Sequence, residues 1–316
     1  WYEFTGVLGG AFWVLLVNIL IFETLRNLKR FQLLQFVRQL ALLLIVVFLP
    51  AGLSYDLYFN YSESGETCHA VALQPNFDPY TEKFNAIGEK EQIQRLAKLA
   101  EQSMSNSTDL VLTPETAFPV IWEDSLWNSN EEAASLKKLI QLNPKVNFIV
   151  GAITKIRDTN SSISAESYKR FNSAILISDL QNPQISHKTI LVAGVEKAPL
   201  REYVRFFPEF LIDPGGSIGE LTPGEAPALL KMKNGELVAP IICFESVFGD
   251  YVRQQVLKGA SYLVVLTNDG WWKHSIGVWQ HFGYSRIRAI ETRRSVIRSA
   301  NTGISGGINQ RGDILS

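Results

Sequence analysis

What the chain has little of narrows it first. Only two cysteines, Cys68 and Cys243, occur in 316 residues, too few for a disulfide-built scaffold or a cysteine-rich zinc site. A charge excess of either sign is missing as well. The 30 Lys+Arg face 31 Asp+Glu, a formal net charge of −1, whereas a nucleic-acid binder ordinarily shows a basic excess or stripe. Nucleic acid is therefore not an expected partner. Charged residues make up 19% of the chain against 46% hydrophobic, a balance that excludes a disordered chain. The four histidines, His69, His187, His274 and His281, show no HExxH arrangement and no cysteine partner pattern, so no metal is expected. Internal repeats and low-complexity tracts are absent too. The Gly/Pro-rich break at 213–224 reads as a surface loop.

The mean hydropathy of +0.05 hides an uneven distribution. Phe4 to Phe22 is a run of 19 residues without a charged side chain, and Gln39 to Tyr55 a second run of 17 containing LALLLIVVFLPAGL. At a rise of about 1.5 Å per residue each can cross a hydrocarbon core of roughly 30 Å, the second only just. A signal peptide has one short apolar stretch behind a basic front end; here Trp1, Tyr2 and Glu3 precede the first run. Two membrane spans, at about 4–22 and 39–55, are the expectation. Between them lie Arg26, Lys29, Arg30 and Arg38, with Glu23 the only acid. Short basic loops stay in the cytoplasm, so everything after about Asp56 is expected on the extracytoplasmic side. Trp1, Tyr2, Tyr55 and Tyr58 fall where interfacial aromatic rings are favoured. The first residue is not Met, and the chain reads as a piece of a longer, multi-pass membrane protein.

From 56 to 316 the pattern changes to one α/β domain. Apolar runs at Asp109–Thr113, Asn147–Ile153, Ser173–Ile177, Ala239–Cys243 and Tyr262–Thr267 lack polar alternation, which suits strands covered on both faces. Helical patterns are expected at Lys83–Met104, Tyr251–Leu257 and Val278–Arg293.

Three polar residues sit at the ends of such runs. Cys243 closes Pro-Ile-Ile-Cys just before a helical pattern, where N-terminal amides can stabilise a thiolate and an adjacent oxyanion; a small buried core residue is the plainer alternative. Glu115 follows another run in Leu-Thr-Pro-Glu, and Lys188 lies in Ser-His-Lys-Thr beside a third. Alone, each is ordinary: a helix-start acid, a strand-edge lysine. Strand ends of α/β folds are where functional groups converge. Carboxylate, ammonium and thiol together make a nucleophilic device: a base for the thiol proton, a nucleophile for a carbonyl, and a cation for the developing oxyanion.

These segments resemble the Glu-Lys-Cys triad of the nitrilase (carbon–nitrogen hydrolase) superfamily. Their combination with outward-facing spans resembles its apolipoprotein N-acyltransferase branch. Thr113–Pro119, Lys188–Glu196, Cys243-Phe-Glu, Leu266–Trp279 with Gln280-His281, and Arg298–Gly303 carry the likeness. The resemblance implies a nitrilase-like αββα sandwich at 56–316 preceded by a transmembrane hairpin at 1–55, with further spans missing. It implies Cys243 as nucleophile, Glu115 as general base, Lys188 as oxyanion stabiliser, and Glu196 and Glu245 in support. Phe244, Trp271 and Trp272 become candidates for the substrate pocket, with core packing the alternative for the tryptophans. No cofactor is implied. The implied partners are a membrane phospholipid as acyl donor and a diacylglyceryl apolipoprotein as acceptor, for a monomer in a bacterial inner membrane. A membrane-tethered amidase using water remains open beside it, as does a catalytically dead lipid-binding module. Phe244 stands where the branch often has Tyr, and Val192-Ala-Gly-Val-Glu196 where it commonly has Val-Pro-Phe-Gly-Glu. A nucleophilic Cys243 also requires that it not be paired with Cys68.

Overall fold

A computed structural model describes residues 1–78, 88–125, 134–157, 168–194, 196, 221–273 and 275–315. The first turns of the helix expected from Lys83, most of the loop at 213–224, and His274 lie outside the described residues. Two long helices come first, α1 (Tyr2–Lys29) and α2 (Leu33–Asn60). Both are long and apolar enough to cross a membrane, and the most apolar windows are only 11% and 0% buried. Phe12, Leu15, Ile45 and Phe48 stand open, far more exposed apolar surface than a water-soluble chain tolerates. Pro50 lacks the N–H that would satisfy the Val46 carbonyl within α2. The Trp13 indole of α1 donates to that carbonyl at 2.7 Å, tying the two helices together.

The hairpin is fastened to the domain behind it. Gly6 breaks α1 with φ +61, a left-handed conformation that favours glycine. The freed Val7 N–H donates to Glu291 at 2.9 Å, and Glu3 pairs with Arg293. At the far end of α2, Tyr58 donates to Asp313 at 2.7 Å and Tyr61 to Gln310 at 2.6 Å.

Among the described residues the domain holds two sheets. The first contains β1 (Ala70–Ala72), β2 (Leu110–Leu112), β4 (Asn147–Arg157), β5 (Tyr168–Ile177) and β6 (Gln184–His187) in that order, with β3 (Phe118–Trp122) also on β4. The second runs β11 (Gly306–Ile308), β10 (Ser295–Ala300), β9 (Tyr262–Thr267), β8 (Leu237–Ile242), β7 (Leu230–Lys231). Alternation within the continuous apolar strands sorts side chains into layers. Leu110, Leu112 and Ile149 meet Val238, Ile242, Val264 and Leu266 between the sheets. Val111, Phe148 and Val150 face α3 (Glu89–Ser103) and α4 (Ala134–Leu142). Ala239, Leu263 and Val265 face α5 (Gly249–Leu257) and α6 (Gly277–Thr292). The result is helix–sheet–sheet–helix, the nitrilase-like αββα sandwich.

Direction along the strands decides where the site forms. β1, β2 and β4 are parallel, and so are β8, β9 and β10. β6 is antiparallel to β5, itself antiparallel to β4, so β6 runs with β4. The residues that follow β2, β6, β8 and β9 therefore emerge at carboxyl ends of parallel-running strands.

Candidate active site

Glu115 emerges just beyond β2 in a turn whose next residue, Thr116, has φ +49. The turn lies directly on β4. A Cβ at Gly151 would stand 2.3 Å from the Pro114 carbonyl oxygen and 2.9 Å from Glu115 Cα, so only glycine permits this approach. Lys188 follows β6, its N–H donating to the Asn172 carbonyl of β5 at 2.7 Å. Its side chain is buried, with Nζ 3.1 Å from Glu115 Oε1 and 2.9 Å from Glu196 Oε1. The Asn172 Nδ2 donates to the same two oxygens at 2.8 and 2.9 Å. The other Glu196 oxygen accepts from Val192 N–H at 2.8 Å, which anchors the lysine loop.

Burial alone would lower the Lys188 pKa, but the charges of Glu115 and Glu196 overcome it and hold it above the ordinary lysine value. This favours the ammonium form. Cys243 is the first residue of a short 3-10 turn, Cys243–Val247, and has φ +52, a strained conformation for a side chain with a Cβ. Burial pushes its thiol up to about 12, with Glu115 adding to the rise and Lys188 opposing it. Desolvation and the nearby carboxylate outweigh the short turn, and Cys243 rests as a neutral thiol that needs a base. Cys68 is also a free thiol, and lies among the side chains that edge the core between the sheets.

Glu245 is fully buried and joins the loops. One oxygen accepts from Thr189 N–H at 2.7 Å and Ile190 N–H at 3.2 Å, immediately after Lys188; the other accepts from Ile242 N–H at 2.8 Å, immediately before Cys243. Burial raises its carboxyl pKa against the pull of these amides. Of the pocket candidates, Phe244 is half-buried, edge-on to Phe248 at 5.2 Å, and Trp271 is half-buried. Trp272 lies edge-on to the His281 ring at 4.9 Å and is partly exposed, and Ile276 and Trp279, a few residues further along the chain, are more open.

Sequence reasoning assigned no role to Asn172, nor to a second buried cluster behind Cys243. There His281 Nδ1 lies 2.8 Å from Asp269 Oδ1, and Arg298 donates to Asp269 Oδ2 at 2.8 Å. Asp269 was visible only as part of Asn268-Asp269-Gly270 and Arg298 only as the start of Arg298–Gly303. A charged residue directly after or inside an apolar strand run is the signal that could have marked them.

An αββα sandwich that converges a carboxylate, an ammonium and a thiol at its strand ends defines a protein of nitrilase type. The chain belongs to the carbon-nitrogen hydrolase family, whose profile matches residues 72–315. Among curated relatives, the apolipoprotein N-acyltransferases of Chlorobaculum tepidum and Haemophilus influenzae are 28% and 30% identical to it. These alignments cover 96% and 98% of the chain, the two apolar helices included, but only 58% and 57% of the relatives. The chain thus spans little more than half of their length. The crystal structure of a carbon-nitrogen hydrolase from Helicobacter pylori superposes with a TM-score of 0.52 at 16% identity, over 72% of this chain and 80% of that one; this is a likeness of fold.

Proposed function

We propose that the chain is the catalytic part of an apolipoprotein N-acyltransferase. The observation that carries this reading is that the likeness to enzymes of that name runs through the exposed apolar hairpin as well as the sandwich. A hydrolase of soluble substrates needs no such hairpin, whereas an enzyme whose donor and acceptor are both lipid-anchored must sit in their bilayer. Residues 1–55 form the membrane hairpin and 56–316 the extracytoplasmic domain. The basic loop between the helices faces the cytoplasm of a bacterial inner membrane.

Glu115 takes the Cys243 proton as the sulfur attacks the ester carbonyl of a phospholipid. Lys188 stabilises the oxyanion. The carbon–oxygen bond breaks, the leaving alkoxide recovers the proton from Glu115, and a lysophospholipid departs from a Cys243 thioester. The uncharged α-amine of a diacylglyceryl-cysteine then attacks that thioester. Glu115 takes one amine proton, the carbon–sulfur bond breaks, and the proton returns to sulfur. Splitting the transfer this way predicts ping-pong kinetics for a monomer that needs no cofactor. Proton transfer within the cluster leaves its net charge unchanged, which suits a site this buried. Glu196 holds Lys188, Glu245 holds the loops, and Phe244, Trp271 and Trp272 border the acyl path, with the open faces of Trp272, Ile276 and Trp279 as its apolar mouth.

The test is intact-protein mass spectrometry of the full-length chain after incubation with phospholipid. The expected result is an acyl mass on Cys243 that neutral hydroxylamine removes, and that a diacylglyceryl peptide with a free α-amine discharges into an N-acylated product. Release of free fatty acid with no transfer to the peptide would instead identify a water-using hydrolase.

A further inference from the structure

The second polar cluster touches the nucleophile through its backbone. The Cys243 carbonyl accepts from the Ser246 hydroxyl at 2.7 Å and lies 3.1 Å from His281 Nε2, which is also 3.0 Å from Ser246 Oγ. On the other side of the ring, Nδ1 lies 2.8 Å from Asp269 Oδ1, and the Arg298 guanidinium that donates to Asp269 passes 3.1 Å from the same nitrogen. Asp269 is fully occupied: its Oδ1 also accepts from Thr267, and its Oδ2 from Arg298. Arg298 in turn reaches Ser285 and the Ile304 carbonyl. His281, Ser246, Asp269 and Arg298 are all buried. His281 and Ser285 lie one turn apart on the face of α6 that packs on the second sheet. The imidazole has little freedom to turn.

We propose that His281 is a positioning residue for Cys243: with Ser246 it pins the carbonyl of the peptide between Cys243 and Phe244, and so fixes the turn that presents the nucleophile. A trans peptide is planar, with its N–H antiparallel to its C=O. Pinning the carbonyl toward His281 therefore aims the Phe244 N–H the opposite way. That amide belongs to the first turn of a helical segment, where N–H groups have no partner within the segment. It is thereby pre-set as a donor for the oxyanion that forms when Cys243 attacks, beside Lys188. The pin also holds a nucleophile whose φ of +52 an unrestrained chain would relax. Asp269 and Arg298 act one step further back, by holding the ring. This inference rests on the acyl-transfer reading of the same site.

The test uses the full-length chain in lipid nanodiscs and separates two reactions of one sulfur. Acylation by phospholipid needs the oxyanion donor; alkylation by iodoacetamide does not. His281→Ala is expected to slow single-turnover thioester formation about 100-fold, the scale on which a lost oxyanion donor acts, with KM for phospholipid little changed. Cys243 alkylation should change less than about threefold. His281→Gln, whose amide can donate to the same carbonyl, should recover about tenfold of the loss. Ser246→Ala removes the other donor by a smaller change and should cost about tenfold in acylation, so the inference can be tested even if His281→Ala does not fold. Normal acylation in these variants, or acylation and alkylation falling together, would overturn the positioning role. Failure of the unmodified chain to form any hydroxylamine-sensitive adduct would overturn the proposed function instead.

Discussion

Two buried polar clusters flank Cys243, and they are built on opposite principles. On the first sheet two carboxylates, Glu115 and Glu196, share one ammonium, Lys188. The Asn172 amide that helps them leaves its own Oδ1 without a hydrogen-bond partner. On the second sheet a single carboxylate, Asp269, is matched by the Arg298 guanidinium and the His281 ring. An unbalanced cluster leaves a carboxylate able to take a proton. In the other the one carboxylate is committed to Thr267, His281 and Arg298, and the cluster serves as a brace. The same burial that makes the first reactive makes the second rigid.

The largest expected effect attacks the reactive side. Glu115→Gln should reduce thioester formation by about 10³-fold, within the range that general-base catalysis contributes. Thermal stability should hold or rise, because Lys188 then faces one carboxylate instead of two. Hydroxylamine-sensitive acyl mass and a melting curve read the two outcomes. Near-normal acylation would remove Glu115 as the base, and with it the claim that the unbalanced cluster is the reactive one.

A second expectation follows from the thiol. Burial, with Glu115 against Lys188, lifts Cys243 from 9.0 to about 12. The sign is toward the neutral form, so at pH 8 its thiolate is about 10³-fold scarcer than that of an ordinary cysteine. Iodoacetamide alkylation of Cys243, followed by peptide mass spectrometry, should be slow at neutral pH and keep rising through pH 10. An inflection near pH 9 would show a thiol untouched by the cluster beside it.

The balanced cluster should answer in stability. Asp269→Asn leaves the buried Arg298 without its counter-charge, a change of about 3–5 kcal/mol for a broken buried pair. Burial would raise the Asp269 carboxyl pKa, but the His281 bond and the Arg298 charge hold it below its ordinary value. A depressed carboxylate contributes its stability above the unfolded pKa of about 3.9 and loses it as acid titrates the folded group. The difference between the two proteins in chemical denaturation should thus be full at pH 7 and shrink only below about pH 4. Equal stability at pH 7 would mean that the second cluster is not a brace.

How much of this the chain announced depends on whether a feature is local. The strand before Cys243 and that before Glu115 are unbroken apolar runs, and the functional groups stand where those runs stop, so Cys243 and Glu115 could be singled out one at a time. The short strands Ala70–Ala72, Gln184–His187 and Gly306–Ile308 are too brief or too polar for a pattern, and exist because neighbours complete their ladders. Helix Ala134–Leu142, not among the expected helices, buries Leu136, Leu139 and Ile140 at a helical spacing that the sequence itself carries. Asn172 lies midway along a strand as an unremarkable polar residue, and its value comes from β5 setting it beside Lys188. Asp269, His281 and Arg298 were legible as letters of a motif but not as a network. Their partnership depends on a loop, a helix and a strand packing on one another, which no spacing encodes.

The smallest expected effect tests whether the clusters act as one site. Glu245 is the carboxylate that ties the loop after Lys188 to the strand before Cys243, and it accepts there from the Thr189 N–H and hydroxyl, the Ile190 N–H and the Ile242 N–H. Glutamine would turn an amide toward one of those donors, so Glu245→Asp is the cleaner probe. It keeps the charge and shortens the reach by one methylene, which lets the two loops drift apart without creating a repulsive contact. About a tenfold fall in single-turnover acylation is expected, with KM steady, as for a small misplacement of groups that must meet in the transition state. The alkylation rate of Cys243 should scarcely move, since that reaction requires no alignment with Lys188. Unchanged acylation would show that the ammonium and the thiol keep their register through the sheets alone, and the reactive cluster and its brace would then be independent parts.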